Sequence, residues 1–144
     1  MIKNEAELKR LLMSDCCGAL AKAQDKVYKI IDLYLQRFYA DYDPVIYDRT
    51  KQLLHSLVKS SIRKEGNELI AEVYFELNYR YETGARPSGE DVMFQASHGG
   101  HGAKGLKVVY GSGEDVWYTP LEILDAQAIE ILVQMLISEG VPIR

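Results

Sequence analysis

The residues best suited to chemistry lie in one glycine-rich stretch. His98 and His101 are three residues apart in HGGHG, and Ser97 precedes them. Two imidazoles at this spacing can share a metal ion, but a tetrahedral zinc site needs three or four ligands. A Ser–His nucleophile would need a fixed base and an orienting acid, and a segment so rich in glycine would not hold them rigidly. We therefore expect surface histidines, with no metal site and no catalytic residue.

The same stretch is similar to a phosphate-binding loop only in its glycine content. No Ser or Thr follows Lys104, and no helix is predicted after it, so the GxxxxGK[ST] unit is absent. Farther upstream, Glu68, Glu72 and Glu76 alternate along a predicted strand. Carboxylates at this spacing lie on one solvent-exposed face of a strand. This pattern favours a row of solvated side chains over the pair of catalytic carboxylates of a glycosidase. We expect no cofactor and no enzymatic activity.

Apolar residues at helical spacing predict helices at both ends of the chain. The first helix is predicted over about 17–40, with a shorter or continuous helix before it, because Gly18 weakens the start. The last is predicted to begin with Thr119 as N-cap and Pro120 at its first position, and to stop at Gly140. The N-terminal apolar positions are Leu8, Leu12, Cys16, Ala19, Ala23, Val27, Ile30, Tyr34 and Phe38.

A short helix and a hairpin are predicted between these ends. Asp48 or Thr50 can cap the short helix, Leu53, Leu54 and Leu57 supply its apolar contacts, and Ser56 lies where helix turns to strand. Residues 56–64 and 68–77 read as antiparallel partners around a turn at 65–67. The expected fold is α+β, with two main helices packed on a small, mostly antiparallel sheet in a single domain over 1–144.

Residues 84–113 contain eight of the 11 glycines. Such a segment is costly to order, so a long mobile loop or extended hairpin is predicted, becoming ordered between subunits or against a partner protein. Its apolar patches at 92–94 and 106–110 would supply two short strands. The residues expected to serve assembly are Arg86, Met93, Phe94, His98, His101, Lys104, Val108 and Tyr110.

Charge and hydropathy restrict the partners. The net charge of −4 argues against a general nucleic-acid binder, and no apolar run is long enough to span a membrane. Residues 1–64 carry 12 Lys/Arg and 8 Asp/Glu, whereas residues 65–144 carry 5 and 13. Two interpretations are open: the uneven charge arises by chance on solvated faces, or the opposed halves make head-to-tail contacts between copies of the chain.

The order of elements, together with one motif, resembles a family of tailed-bacteriophage structural proteins: the head–tail joining or tail-completion (neck) proteins of phages and prophages. The resemblance rests mainly on Pro44, Tyr47, Arg49, Thr50, Leu53 or Leu54, and Ser56. The structural motif expected here is Tyr47, Asp48, Arg49, Thr50, Leu54 and Ser56. The resemblance implies a non-catalytic virion subunit, made in the bacterial cytoplasm, that forms a homo-oligomeric ring at the neck or tail top with other neck or tail proteins. The motif departs from the family's pattern at Lys51, where glycine is common.

Two other readings remain open. A small cytosolic enzyme could use residues 84–113 as an active-site lid, and should then have an ordered pocket with converging polar groups. A bacterial regulator could bind its partner through the long first helix.

Overall fold

The described residues form two long helices, two shorter helices and six short strands. The computed structural model describes residues 2–40, 52–78, 88–97, 100–101, 109–110 and 118–143. The elements are α1 (Glu5–Ala40), α2 (Gln52–His55), β1 (Leu57–Lys59), β2 (Arg63–Glu65), β3 (Glu68–Ile70), β4 (Val73–Phe75), α3 (Gly89–Ser97), β5 (Gly100–His101), β6 (Val109–Tyr110) and α4 (Tyr118–Ser138). The α+β prediction is confirmed, with antiparallel pairing throughout the described strands.

The helix α1 is continuous through Gly18. Asn4 starts it, because its side-chain oxygen accepts a hydrogen bond from the backbone N of Glu7 at 2.9 Å, while the Glu7 carboxylate accepts one from the backbone N of Lys3 at 2.8 Å. These bonds satisfy amides that have no partner inside a helix. Of the two predicted forms, a separate helix before residue 17 or a continuous one, the continuous form is therefore correct.

The predicted hairpin is confirmed, with one irregularity. Lys59 faces Val73 and Arg63 faces Ile70, so residues 60–62 oppose only residues 71–72. One strand thus carries an extra residue, which is a β-bulge. The hairpin turns at Gly66, whose φ of 61° suits glycine. Residues 71, 73, 75 and 77 are half-buried and residues 72, 74 and 76 are exposed, as the alternation predicts.

The helices α1 and α4 run antiparallel. Lys22 of α1 forms an ion pair with Glu139, just past the end of α4. Leu124, near the start of α4, belongs to the same core cluster as Leu35 and Phe38 near the end of α1. A parallel arrangement would carry Leu124 far from that cluster, since 15 helical residues span about 22 Å. The buried residues of the cluster are Ala23, Ile31, Leu35, Phe38, Leu53, Leu57, Leu124 and Ile131.

The prediction of a strand at residues 92–94 is wrong, because they lie in α3. Ser88 and Asp91 form a capping box: the Ser88 hydroxyl accepts from the Asp91 amide at 3.1 Å, and the Asp91 carboxylate accepts from the Ser88 amide at 3.1 Å. The apolar patch at 109–110 does form a strand, paired with Gly100–His101. The rest of 84–113, including Arg86, His98, Lys104 and Val108, lies outside the described residues.

Candidate assembly surface

The corner between α2 and β1 explains the second half of the predicted motif. The Ser56 hydroxyl donates a hydrogen bond to the Leu53 carbonyl at 2.7 Å, and the Ser56 carbonyl accepts one from the Glu76 amide at 2.7 Å. Leu53 is fully buried, Ser56 is nearly so, and Leu54 packs against the core from its edge. These residues have structural contacts that fix the turn from helix to strand. Tyr47, Asp48, Arg49 and Thr50 lie outside the described residues.

Two of the predicted assembly residues lie on α3 and have different environments. Met93 packs against the core cluster, so its side chain supports the fold. Phe94, the next residue, is 66% exposed. His101 and Tyr110 lie on the paired strands β5 and β6, where Gly100 faces Tyr110 and His101 faces Val109. The structure therefore brings His101 and Tyr110 to neighbouring positions on one strand pair, whereas Met93 lies on α3.

A charged cluster joins α1 to the hairpin. The Asp25 carboxylate lies 2.6 Å from the Lys29 ammonium and 3.0 Å from that of Lys59 on β1. Lys29 first, and then Lys59, hold the pKa of Asp25 below its ordinary value by hydrogen bonding to the charged form. Lys59 also lies 5.2 Å from the ring centre of Tyr28, a cation–π distance.

Gln24 holds the bulge against α1. Its side-chain nitrogen donates to the Ser60 carbonyl and to the Glu72 carbonyl, each at 2.9 Å. The Ser60 hydroxyl accepts from the Glu72 amide at 2.9 Å. One amide side chain therefore donates hydrogen bonds to two backbone carbonyls at the point where the bulge interrupts the strand pairing. The polar residues of this region are thus occupied in fixing α1 to the hairpin.

An open groove of about 490 Å³ lies between the first turns of α1 and the turn of the hairpin. Its wall is chiefly apolar, and a weak hydrogen bond from Lys9 to Asn67 at 3.3 Å crosses its rim. In the described parts of the chain, no group of three or more His, Cys, Asp or Glu side chains is placed to hold a metal ion. The lining residues are Glu5, Leu8, Lys9, Leu12, Met13, Cys16, Asn67 and Leu69.

The outer face of α4 has the most exposed isoleucine among the described helices, Ile129. One side of the helix, with Leu124 and Ile131, is buried on α1, which is its main packing partner within the described ranges. On the opposite side Ile129 is 82% exposed and Ile137 is 54% exposed. Helices of globular proteins usually carry polar residues on the side away from the core. Exposed apolar area of this kind marks interaction sites.

The family model named YomN matches residues 4–133. The chain belongs to the YomN family. This family name is associated with bacteriophages and prophages. No curated protein and no solved structure matches the chain significantly.

The match to the YomN model covers the elements described above from α1 to most of α4, including Ile129. It therefore includes both the helix pair and the hairpin fixed by Gln24. None of the helices in the ranges that the structure describes is long and apolar enough to cross a membrane.

Sequence reasoning singled out neither Gln24 nor Ile129. The importance of Gln24 depends on the bulge, which no local pattern indicates. For Ile129 a signal was present: α4 is apolar at most positions and contains only three charged residues, Glu122, Asp125 and Glu130. That composition is richer in apolar residues than a helix with a single buried stripe requires.

Proposed function

We propose that this YomN-family chain is a non-catalytic structural subunit of a tailed phage or prophage particle. In this proposal it forms a homo-oligomeric ring at the head–tail junction or tail top, in contact with other neck or tail proteins. The observation that carries the proposal is the exposed apolar face of α4, with Ile129 at 82% exposure. A surface of this kind serves association between proteins.

Two further observations support this role. The family name is associated with phages and prophages, and the motif ending at Ser56 resembles neck proteins. The polar side chains that lie close together, such as Gln24 with the bulge and Asp25 with Lys59, connect elements of the fold. An assembly subunit needs a rigid scaffold that presents apolar area, and α1, the hairpin and α4 provide both.

The test uses induced particles from a host that carries the gene. Quantitative mass spectrometry of purified particles should find the chain at several copies per particle. Deleting the gene should leave filled heads and separate tails, visible by electron microscopy, and supplying the gene on a plasmid should restore joined particles. A particle that lacks the chain, or a deletion that leaves joining intact, would contradict the proposed role.

A further inference from the structure

The exposed face of α1 is basic and has a leucine within it. Lys26, Lys29, Leu33 and Arg37 follow one another at spacings of three or four residues, so they share one side of the helix. All four are exposed, and Leu33 is 48% exposed. This side, here called the α1 outer face, is distinct from the residues that pack on α4. At its edge Lys29 pairs with Asp25, which contacts the hairpin through Lys59.

The α4 outer face has the opposite character. Glu122, Asp125 and Glu130 are exposed around Ile129, and α4 contains no Lys or Arg. An apolar centre surrounded by carboxylates on α4 thus matches an apolar centre flanked by cations on α1. Charge complementarity of this kind selects and orients partners.

We propose that the α4 outer face of one copy packs on the α1 outer face of the next copy. The inference rests on the assembly role proposed above and gives it a specific contact. Used towards two different neighbours, the two faces make a heterologous contact, and repeated contacts of this kind close into a ring when the rotation between copies permits. Each copy would use both faces, one towards each neighbour.

A register follows from the spacing. When the ring axis runs parallel to the helices, α1 points in the same direction in every copy. Because α1 and α4 are antiparallel within one copy, α4 of one copy is then antiparallel to α1 of the next. With Leu33 opposite Ile129, the residue four positions after Leu33 is Arg37, and it meets Asp125, four positions before Ile129. Lys29, which pairs with Asp25 in its own chain, then lies on the Glu130 side of the contact. The apolar contact is central and the charge pairs flank it.

Sedimentation of the full chain over a range of concentrations tests the apolar contact. Ile129→Asp should weaken self-association by roughly tenfold or more, because a carboxylate would enter the apolar centre of the contact. The matched control is Ile2→Asp, since Ile2 is also exposed, at 49%, but precedes α1. Circular dichroism should show that both variants keep the wild-type fold.

A charge exchange tests the register. Arg37→Glu and Asp125→Arg should each weaken association, and the double variant should recover most of it, because the pair is restored with its signs reversed. Lys64→Glu, on the exposed strand β2, serves as the control for charge.

The outcomes separate this contact from the proposed function. If Ile129→Asp and the single charge variants all leave the oligomer intact, the proposed contact is wrong, whereas the proposed ring is not contradicted. A wild-type chain that stays monomeric at all concentrations would overturn both. If the chain is absent from purified particles but Ile129→Asp still weakens its self-association, the proposed location in the particle is wrong and the contact is supported.

Discussion

The two long helices differ in how many of their sides are covered. In α1 one side packs on α4, a second contacts the hairpin through Gln24 and Asp25, and the third is charged. In α4 one side is buried on α1, and the opposite side has Ile129 and Ile137 open to solvent. The difference teaches that two sides of α1 are covered by other elements of the chain, whereas α4 has one covered side and has apolar area beyond what the fold uses.

The largest expected effect compares two isoleucines on the two sides of α4. Ile131→Ala should lower the free energy of unfolding by about 2–5 kcal/mol, because Ile131 is buried at 9% exposure and its loss leaves a cavity. Ile129→Ala should change it by less than about 0.5 kcal/mol, as is usual for surface substitutions. Urea denaturation at a concentration where the chain is monomeric measures both. Equal losses at the two positions would mean that something in the chain covers Ile129.

The helix and hairpin architecture was predictable because its signals are local. Apolar residues spaced three or four apart predict α1 and α4, and alternating apolar and polar residues predict the hairpin. The turn at Gly66 lies within the predicted range of 65–67. For α3 two local signals conflict: the glycine content of residues 84–113 favours a loop, whereas the capping box that Ser88 forms with Asp91 starts a helix. A capped start fixes the first turn, and the following residues then continue the helix.

The candidate surface was less predictable than the fold. The apolar content of α4 was visible in the sequence, but its buried side depends on where α1 lies, which is tertiary information. The bulge at residues 60–62 likewise results from the register on both sides of it. Hydrophobic periodicity indicates which positions can be buried, and only the packing determines which of them lack a partner in the chain.

The second prediction concerns the side of α1 that contacts the hairpin. Gln24→Met should destabilise the protein by about 1–3 kcal/mol, because the carbonyls of Ser60 and Glu72 lose a donor in a partly buried place. Gln36→Met is the control, since Gln36 is exposed on the same helix. Amide hydrogen exchange in the hairpin should rise in the first variant alone. If the two variants behave alike, Gln24 does not fix the bulge.

The third prediction compares two glycines at the junction of the helices. Gly140 ends α4 at a φ of 79°, where its amide donates to the Ile137 carbonyl at 2.9 Å and the Val141 amide donates to the Leu136 carbonyl at 3.0 Å. This is a Schellman cap, and Gly140→Ala should cost roughly 1–2 kcal/mol because a side chain is strained at positive φ. Thermal denaturation should show a lowered midpoint.

Gly18→Ala provides the opposite expectation. Gly18 lies inside α1, where alanine is favoured by about 0.5–1 kcal/mol. An added Cβ would lie 3.2 Å from a carboxylate oxygen of Glu139, which can move because it is the end of a flexible side chain. A small gain in thermal midpoint is expected. A loss as large as that of Gly140→Ala would show that α1 and the end of α4 are packed too closely for a methyl group.

The smallest expected effect concerns Asp25, which joins α1 to β1. Lys29 and Lys59 lower its pKa in the folded chain, so the unfolded chain takes up this proton at a higher pH than the folded chain. The stabilisation is therefore complete above the unfolded pKa of about 3.9. It is lost as the pH falls through the lower pKa of the folded state. Above that window, the contribution of Asp25 should not vary with pH.

Asp25→Asn removes this proton-binding difference, so its stability should fall less steeply than that of the wild type as the pH drops below about 4. Because Asp25 is exposed to solvent, the difference should be small and should shrink further in high salt, which screens surface charges. Urea midpoints measured at successive pH values provide the test, with Asp32→Asn as a control on the same helix. If Asp25→Asn and the wild type lose stability in parallel, the ion pairs with Lys29 and Lys59 do not contribute to holding β1 on α1.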